Sequence, residues 1–254
     1  MKEKIQQDLL ALGIQPGDVV LMHSSYKSLG QIEGGAKTFF EAFLELLGDE
    51  GTLVLPTLSF KWVTKEAPLF DKNETPSCVG YLSEFFRTNV PGVMRSMHAT
   101  HSCAAVGKYA EFLTKDHEKD ATPVGENSPF RKLPQVGGKI LMLGCGKRCN
   151  TSMHGVEELT IPPYLFDKEN PITYTLKDGD KSITIDSMRH YFLDKNGNHL
   201  GQRYDRVADL LSETEISHGF VLEAECYLMD AKAVWQKGNE KLKENPVYFV
   251  ETLN

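Results

Sequence analysis

Two apolar runs separated by a single amphipathic helix constrain the fold of this chain more than any other feature. The run at 18–23 and the run "GTLVLP", closed by Pro56, are almost continuously apolar, which is typical of strands buried on both faces. Between them, residues 36–47 carry apolar side chains at helical spacing, and the pattern ends at Gly48. This order predicts an α/β fold, with mixed sheet or sheets flanked by helices.

The rest of the chain continues the alternation of strands and helices without an internal repeat or a linker. We therefore predict a single domain over 1–254. A hairpin is predicted at 172–186, with its turn at Asp178–Gly179. The remaining predicted helices lie near 2–12, 79–88, 108–116, 204–214 and 231–243, a further one begins near 151, and the remaining strands lie near 102–106, 139–143 and 219–228.

Composition and charge narrow the functional class. The formal net charge of −7 argues against a nucleic-acid partner and suits a polycationic small molecule. No apolar run is long enough to span a membrane, so no membrane partner is predicted. The five cysteines are scattered and no apolar leader precedes them, which favours a reduced, cytoplasmic protein. Cys145 and Cys149 lack a second cysteine pair, so no metal site is predicted.

The stretch "HSSYKSLGQIEGG" at 23–35 joins the first strand to the following helix. Ser24, Ser25 and Ser28 can donate hydrogen bonds, Lys27 adds a positive charge, and the helix N-terminus favours an anion. The stretch matches neither a Walker loop nor a dinucleotide-binding fingerprint. An anion cradle and a plain strand-to-helix turn with solvated serines both remain open.

The stretch "RSMHATHSCAAVG" at 95–107 carries His98, His101 and Ser102 immediately before a strand. Ligands in α/β proteins usually bind at the ends of strands. The two histidines and the serine fit a metal site, a nucleophile with its base, or polar contacts to a ligand. They equally fit two ordinary loop histidines, and the residues alone do not decide.

The stretch "CGKRCNTSMHGVEE" at 145–158 has the pattern of a helix N-terminus, which Asn150, Thr151 or Ser152 could cap. His154 and Glu157 are three residues apart and therefore share a helix face. They suit a general base and the carboxylate that orients it, because an imidazole near a helix N-terminus is favoured in its neutral form. A capped surface helix with an acidic first turn is the alternative.

These stretches occur in an order that resembles the aminoglycoside 3-N-acetyltransferase family, also called the antibiotic N-acetyltransferase family. The resemblance extends from about Gly13 to Asp230, and its fold is distinct from that of the GNAT acetyltransferases. It rests on the motifs "GIQPGDVVLMHSSYKSLGQIEGGA", "GTLVLPT", "RSMHATHSCAAVG", "GENSPFRKL", "GGKILMLGCG", "NTSMHGVEE" and "ECYLMDA".

The resemblance implies a reaction and a set of site residues. It implies an acetyl-CoA cosubstrate and direct acetyl transfer, without an acyl-enzyme, to the 3-amino group of a 2-deoxystreptamine aminoglycoside. It implies His154 as the general base and Glu157 as its partner. Coenzyme A contacts are expected at Ser24, Ser25, Lys27, Ser28, His98 and Ser102, and substrate contacts at Asp71 and Glu158.

The implied chemistry suits these residue types. An amine that attacks a thioester must lose a proton, and a neutral imidazole can accept it. The developing oxyanion needs donors, for which backbone N–H groups and the hydroxyls of Thr151 and Ser102 are candidates. The chain departs from the family pattern at Ala99, where many members have proline, and at Gly155 and Val156. Residues 60–80 match the family only loosely.

Other functional readings remain beside this one. The same chemistry on a different amine is one of them. A hydrolase built from Ser102 and the histidines at 23, 98, 101 and 154 is another, although neither G-x-S-x-G nor H-E-x-x-H occurs. A non-catalytic coenzyme A-binding module is a third. The oligomeric state is open, a homodimer included.

Overall fold

The computed structural model describes residues 1–253, and an α/β architecture emerges from the order of its elements. The strands are β1 (Val19–Ser24), β2 (Thr52–Pro56), β3 (Leu69–Asp71), β4 (Met94–Arg95), β5 (Cys103–Gly107), β6 (Lys139–Leu143), β7 (Ile172–Asp178), β8 (Lys181–Ser187), β9 (Leu200–Gln202), β10 (Ile216–Val221), β11 (Ala224–Asp230) and β12 (Val250–Thr252). The α-helices are α1 (Lys2–Leu12), α2 (Gly35–Leu47), α3 (Tyr81–Asn89), α4 (Ala110–Thr114), α5 (Pro129–Lys132), α6 (Met153–Thr160) and α7 (Ala231–Glu244).

The central sheet has seven strands in the order β10-β11-β6-β1-β2-β5-β4. Its middle strand β1 pairs in parallel with both β2 and β6, and the outer pairs are antiparallel. The predicted mixed sheet is therefore confirmed. A smaller sheet joins β3, β7 and β8, and β9 pairs with β12.

Alternate side chains of β1 supply the two cores of the sheet. Val20 and Met22 belong to the core on the face of α1, α2 and α3. Val19 and Leu21 belong to the core on the opposite face, with α6 and α7. Helices therefore cover both faces, which explains why the first four residues of this strand are all apolar.

The parallel strands end at one edge of the sheet, and this edge positions the site. Ser24 at the end of β1 is in register with Leu143 at the end of β6, and β2 runs in the same direction and ends at Pro56. The segments that follow these three strands therefore meet at a common edge. The third segment leads through the 3₁₀ helix Lys147–Cys149 into α6.

Two predictions about the C-terminal third are wrong. The single strand near 219–228 is an antiparallel hairpin of β10 and β11, whose turn places Leu222 at φ 51°. A leucine gives no turn signal, because this left-handed conformation normally selects glycine or asparagine. The helix near 204–214 is a shorter 3₁₀ helix, Tyr204–Leu210, and the two-residue strand β4 was not predicted.

None of the helices within residues 1–253 combines the length and the apolar character needed to cross a bilayer.

Gly155 of helix α6 lies where this helix packs closely against α7. A Cβ at Gly155 would overlap the ring of Trp235 on α7 and the side chain of Val124. The absence of a side chain therefore lets α7 lie directly on α6. This contact gives a packing reason for one of the departures from the family pattern.

We expect Gly155→Ala to lower the free energy of unfolding by about 1–3 kcal/mol, as overpacked core substitutions do. Urea unfolding measures the change. Trp235→Leu removes the ring that the new Cβ would overlap. Gly155→Ala should therefore lower the free energy of unfolding less in the Trp235→Leu background than in the original chain. Equal effects of Gly155→Ala in both backgrounds would contradict the packing explanation.

Candidate active site

A cavity of about 550 Å³ opens at the edge where the parallel strands end. The ends of strands in open α/β sheets are the usual location of ligand sites. The lining residues come from β1, from the segment after β2, from α3 and the turn before it, from the segment after β6, and from the C-terminal third. They are His23, Ser24, Pro56, Leu58, Phe60, Val79, Ser83, Cys145, Arg148, Cys149, Thr151, His154, Gln202 and Tyr204.

His154 lies on the wall of this cavity and is linked to Glu157 through a tyrosine. The Nδ1 atom of His154 lies 2.8 Å from the Tyr204 hydroxyl, which donates to Oε2 of Glu157 at 2.6 Å. The direct distance from Nδ1 to Oε2 is 3.9 Å. Glu157 is fully buried and also accepts from the Tyr164 hydroxyl at 2.8 Å. The histidine and the carboxylate therefore interact mainly through Tyr204.

This arrangement fixes the tautomer of His154. A tyrosine hydroxyl has a single proton, and Tyr204 donates it to Glu157. Burial, and then the neighbouring Glu157, raise the pKa of Tyr204 well above its ordinary value, so the hydroxyl stays protonated. The oxygen of Tyr204 must then accept from Nδ1–H of His154. The Nε2 atom keeps its lone pair and is free to accept a proton.

Two further histidines surround the ring of His154. His190 stacks on it with ring centroids 4.5 Å apart, and His101 meets it edge-on at 5.4 Å. Burial lowers the pKa of His101 and of His190 well below the ordinary value, so both rings are neutral at pH 7. No imidazolium therefore lies against the ring of His154.

The same three histidines bring one nitrogen each within 4.8 Å of the others. A metal ion must lie in the plane of each imidazole that binds it, along the lone pair of its nitrogen. The near-parallel stacking of His154 and His190 disfavours such a shared point. His190 also uses Nε2 for Glu158, at 2.8 Å. The prediction of no metal stays a prediction.

The predicted anion cradle adjoins the main cavity. A second concavity of about 460 Å³ is lined by Ser24, Ser25, Tyr26, Lys27, Gly80 and Tyr81, and Ser24 lines both spaces. Lys27 is exposed. The Ser28 hydroxyl instead points into the protein, where it bonds Ser25 Oγ at 3.0 Å and the Gly144 carbonyl at 2.8 Å. Three of the four predicted residues therefore face open space.

The histidine and serine of the "HATHS" segment lie behind the cavity wall. His98 is fully buried, and its Nδ1 accepts from the backbone N–H groups of Thr100 and His101, both at 3.1 Å. The Ser102 hydroxyl donates to the Thr57 carbonyl at 2.8 Å and accepts from Arg95. Neither lines the two cavities, so both support the loop that carries His101.

The two predicted substrate contacts are also engaged within the protein. Asp71 ends β3, accepts from the backbone of Asn73 at 2.9 Å and pairs with Lys177 at 3.1 Å. Glu158 accepts from the Val124 backbone at 2.9 Å and from His190, and burial raises its pKa to about 7. Neither side chain lines the main cavity.

Two buried polar atoms on the cavity wall have no partner among the described residues. They are Nε2 of His23 and the hydroxyl of Thr151. Burial lowers the pKa of His23 to about 3, so its ring is neutral and can donate one hydrogen bond. Nine such atoms occur among the described residues, and these two belong to residues that line the cavity.

Sequence reasoning missed the tyrosines and His190. Tyr204 is 50 positions from His154 in the chain, and Tyr164 is an isolated tyrosine after α6. A helical spacing places His154 beside Glu157, but it gives no sign of a group from a distant segment between them.

Comparison with known proteins identifies the family. Residues 21–243 match the profile of the family described as aminoglycoside 3-N-acetyltransferase. An aminoglycoside N(3)-acetyltransferase IV from Salmonella is 30% identical over 243 residues, which cover 95% of this chain and 88% of that protein. This chain belongs to the aminoglycoside 3-N-acetyltransferase family.

Solved structures of the family share its fold. The structure of AAC-IIIb with CoASH has a TM-score of 0.81 and 25% identity, over 96% of each chain. A mutant of aminoglycoside acetyltransferase AAC(3)-IVa in complex with a gentamicin has a TM-score of 0.80 and 28% identity, over 98% of this chain and 90% of that one. The predicted fold class and family are thus confirmed, and the protein is an acetyltransferase of this family.

Proposed function

We propose that this protein transfers the acetyl group of acetyl-CoA directly to the 3-amino group of a 2-deoxystreptamine aminoglycoside, with His154 as the general base. The observation that carries the proposal is the chain of hydrogen bonds from Glu157 through Tyr204 to Nδ1 of His154, which leaves Nε2 free on the cavity wall. The solved relatives with CoASH and with gentamicin support the two substrates.

Acetyl-CoA supplies an activated acyl group in the form of a thioester. His154 accepts the proton that the attacking amine must lose, and Nε2 is the accepting atom. The protonated ring then donates through Nδ1 to Tyr204, whose hydroxyl is held by Glu157. The buried carboxylate therefore stabilises the imidazolium across one hydroxyl group. The same hydrogen-bond network therefore orients the ring of His154 and stabilises the imidazolium that forms during the reaction.

The residues on the wall also fit the remaining parts of the reaction. The unpartnered Thr151 hydroxyl is a donor for the developing negative charge on the thioester oxygen, and it replaces Ser102 in that role. Ser24 and Ser25, with Lys27 beside them, suit the phosphates of coenzyme A. Because Ser24 lines both spaces, the pantetheine arm can pass from the second concavity into the main cavity.

Replacement of the two serines should weaken coenzyme A binding. We expect Ser24→Ala and Ser25→Ala to raise the KM for acetyl-CoA about tenfold and to lower kcat less, because hydrogen bonds to a charged group contribute roughly 1.5–3 kcal/mol. Steady-state thiol release measures both constants. Ser182→Ala on the exposed strand β8 serves as the matched control, and an unchanged KM for both variants would move the phosphates elsewhere.

A different amine acceptor is the second candidate, and the charge of the cavity favours it. Arg148 is the one charged residue among the described residues that line the cavity, and no carboxylate lines it. A polycation binds best where carboxylates face it. Thiol release across aminoglycosides, polyamines and neutral amines separates the candidates. Turnover with a 2-deoxystreptamine compound supports the first, and turnover confined to other amines supports the second.

A further inference from the structure

Two thiols that the proposed reaction does not use lie on the wall of the same cavity as His154. Cys145 is the second residue after β6, and Cys149 ends the 3₁₀ helix that precedes α6. Both are free, Cys149 is exposed, and both line the cavity. The Cys149 thiol donates to the Cys145 carbonyl oxygen at 3.1 Å. The thiols and the proposed base thus line the same cavity.

The surroundings of the two thiols give them opposite reactivities. A hydrogen bond from the Cys145 thiol and the charge of Arg148 lower the pKa of Cys149 to about 6, against the effect of partial burial. The same hydrogen bond and burial raise the pKa of Cys145. Since the thiolate is the nucleophile, these surroundings favour Cys149 over Cys145 as the attacking group.

The other three cysteines provide a contrast within the chain. Cys103 and Cys226 are buried, and burial raises the pKa of each thiol. Cys78 is half-buried, and burial raises the pKa of its thiol as well. Cys149 alone among the described cysteines therefore combines exposure, a nearby cation and a place on the cavity wall.

We propose that Cys149 is a modification site for the disulfide of coenzyme A, which binds in the acetyl-CoA cavity and leaves one coenzyme A attached to the enzyme. This inference rests on the proposed function, because it requires coenzyme A to bind in the main cavity. The pantetheine arm that carries the thioester towards His154 would carry the disulfide towards the same wall, where Cys149 lies. An attached coenzyme A excludes acetyl-CoA and thus stops acetyl transfer.

The exchange is balanced without a further reactant. The Cys149 thiolate attacks one sulfur of the disulfide, a new S–S bond forms to Cys149, and the old S–S bond breaks. Cys149 is oxidised, and the departing coenzyme A is reduced and leaves as a thiolate that takes a proton from solvent. Burial still raises the pKa of the neighbouring Cys145 thiol after the exchange, which slows its attack on the attached group. The adduct persists until an external thiol reduces it.

The test uses the full reduced chain, the disulfide of coenzyme A and intact-mass spectrometry with peptide mapping. We expect one coenzyme A adduct on Cys149, loss of thiol-release activity in proportion to the adduct, and recovery with dithiothreitol. Cys149→Ser should lose the adduct, whereas Cys78→Ser should retain it. Each variant is compared with itself before and after treatment. Glutathione disulfide, which has no adenosine phosphates, should react about tenfold more slowly if the cavity recruits the reagent.

Several results would overturn the proposal. These are an adduct on another cysteine, an internal disulfide between Cys145 and Cys149 with no added mass, full activity of the modified enzyme, or equal rates for the two disulfides. The outcome is separable from that of the proposed function. Selective adduct formation in an enzyme that acetylates no amine would remove the function and keep the modification site, and turnover without an adduct would do the reverse.

Discussion

His154→Ala should reduce acetyl transfer by roughly 10²- to 10⁴-fold, the contribution expected of a positioned general base. The loss should fall on kcat, because the substitution removes the proton acceptor and leaves Ser24, Ser25 and Lys27 in place. Binding of acetyl-CoA should therefore survive. Thiol release measures the turnover, and titration calorimetry measures the affinity for acetyl-CoA.

A matched histidine provides the control. His218 lies on the edge strand β10, is about half exposed and pairs with Glu225, so His218→Ala should keep normal turnover. Tyr204→Phe keeps the packing but breaks the link from Glu157 to the ring, and it should reduce turnover by less than His154→Ala. Normal turnover of His154→Ala with a good substrate would show that the base lies elsewhere.

Acidification should destabilise this protein steeply below about pH 6.5. Burial lowers the pKa of His23 and His98 to about 3, and it lowers those of His101, His117 and His190 well below the ordinary value. Above pH 6.5 these groups are neutral in both states and have no effect on stability. As the pH falls, these histidines bind protons in the unfolded chain but stay neutral in the native state, so the free energy of unfolding decreases.

The magnitude follows from the number of protons. Each histidine that stays neutral in the native state costs about 1.4 kcal/mol per pH unit below its unfolded pKa. Glu158 acts in the opposite direction, since burial raises its pKa to about 7 and the native state binds its proton first. Because five histidines outweigh that one carboxyl group, urea unfolding at pH 7.5, 6 and 5 should show a net loss of several kcal/mol.

A single substitution measures the contribution of His98 to the pH dependence of the free energy of unfolding. Nδ1 of His98 accepts two backbone N–H groups, and the amide oxygen of asparagine can take that place without titrating. His98→Asn should therefore make the dependence of unfolding free energy on pH shallower by about 1.4 kcal/mol per pH unit between pH 6 and 4. An unchanged slope would mean that His98 is protonated in the native state.

The sequence predicted the central elements because burial on both faces leaves a strong pattern. β1 and α2 begin and end within one residue of their predicted bounds, and the apolar core of each element accounts for this. The hairpin of β10 and β11 was missed because Leu222 adopts a left-handed turn conformation, which a leucine in the sequence does not predict. Local pattern thus determines elements that bury side chains regularly, and it fails where one residue adopts an unusual backbone conformation.

The site was predictable in part for a similar reason. Ser24 and His154 lie next to a strand end and a helix start, which are visible in the sequence, and both line the cavity. His98 and Ser102 also lie beside a strand, but their side chains turn inward to bond the backbone, and spacing does not reveal that choice. The role of Tyr204 depends on long-range packing and could not be read locally.

The most direct test of the account is a crystal structure of the full chain with coenzyme A and an amine acceptor bound together. We expect the acceptor nitrogen about 2.6–3.2 Å from Nε2 of His154, with the coenzyme A sulfur on its other side, and Nδ1 still bonded to Tyr204. A histidine ring that points away from the sulfur, with no room for an amine between them, would contradict the proposed reaction.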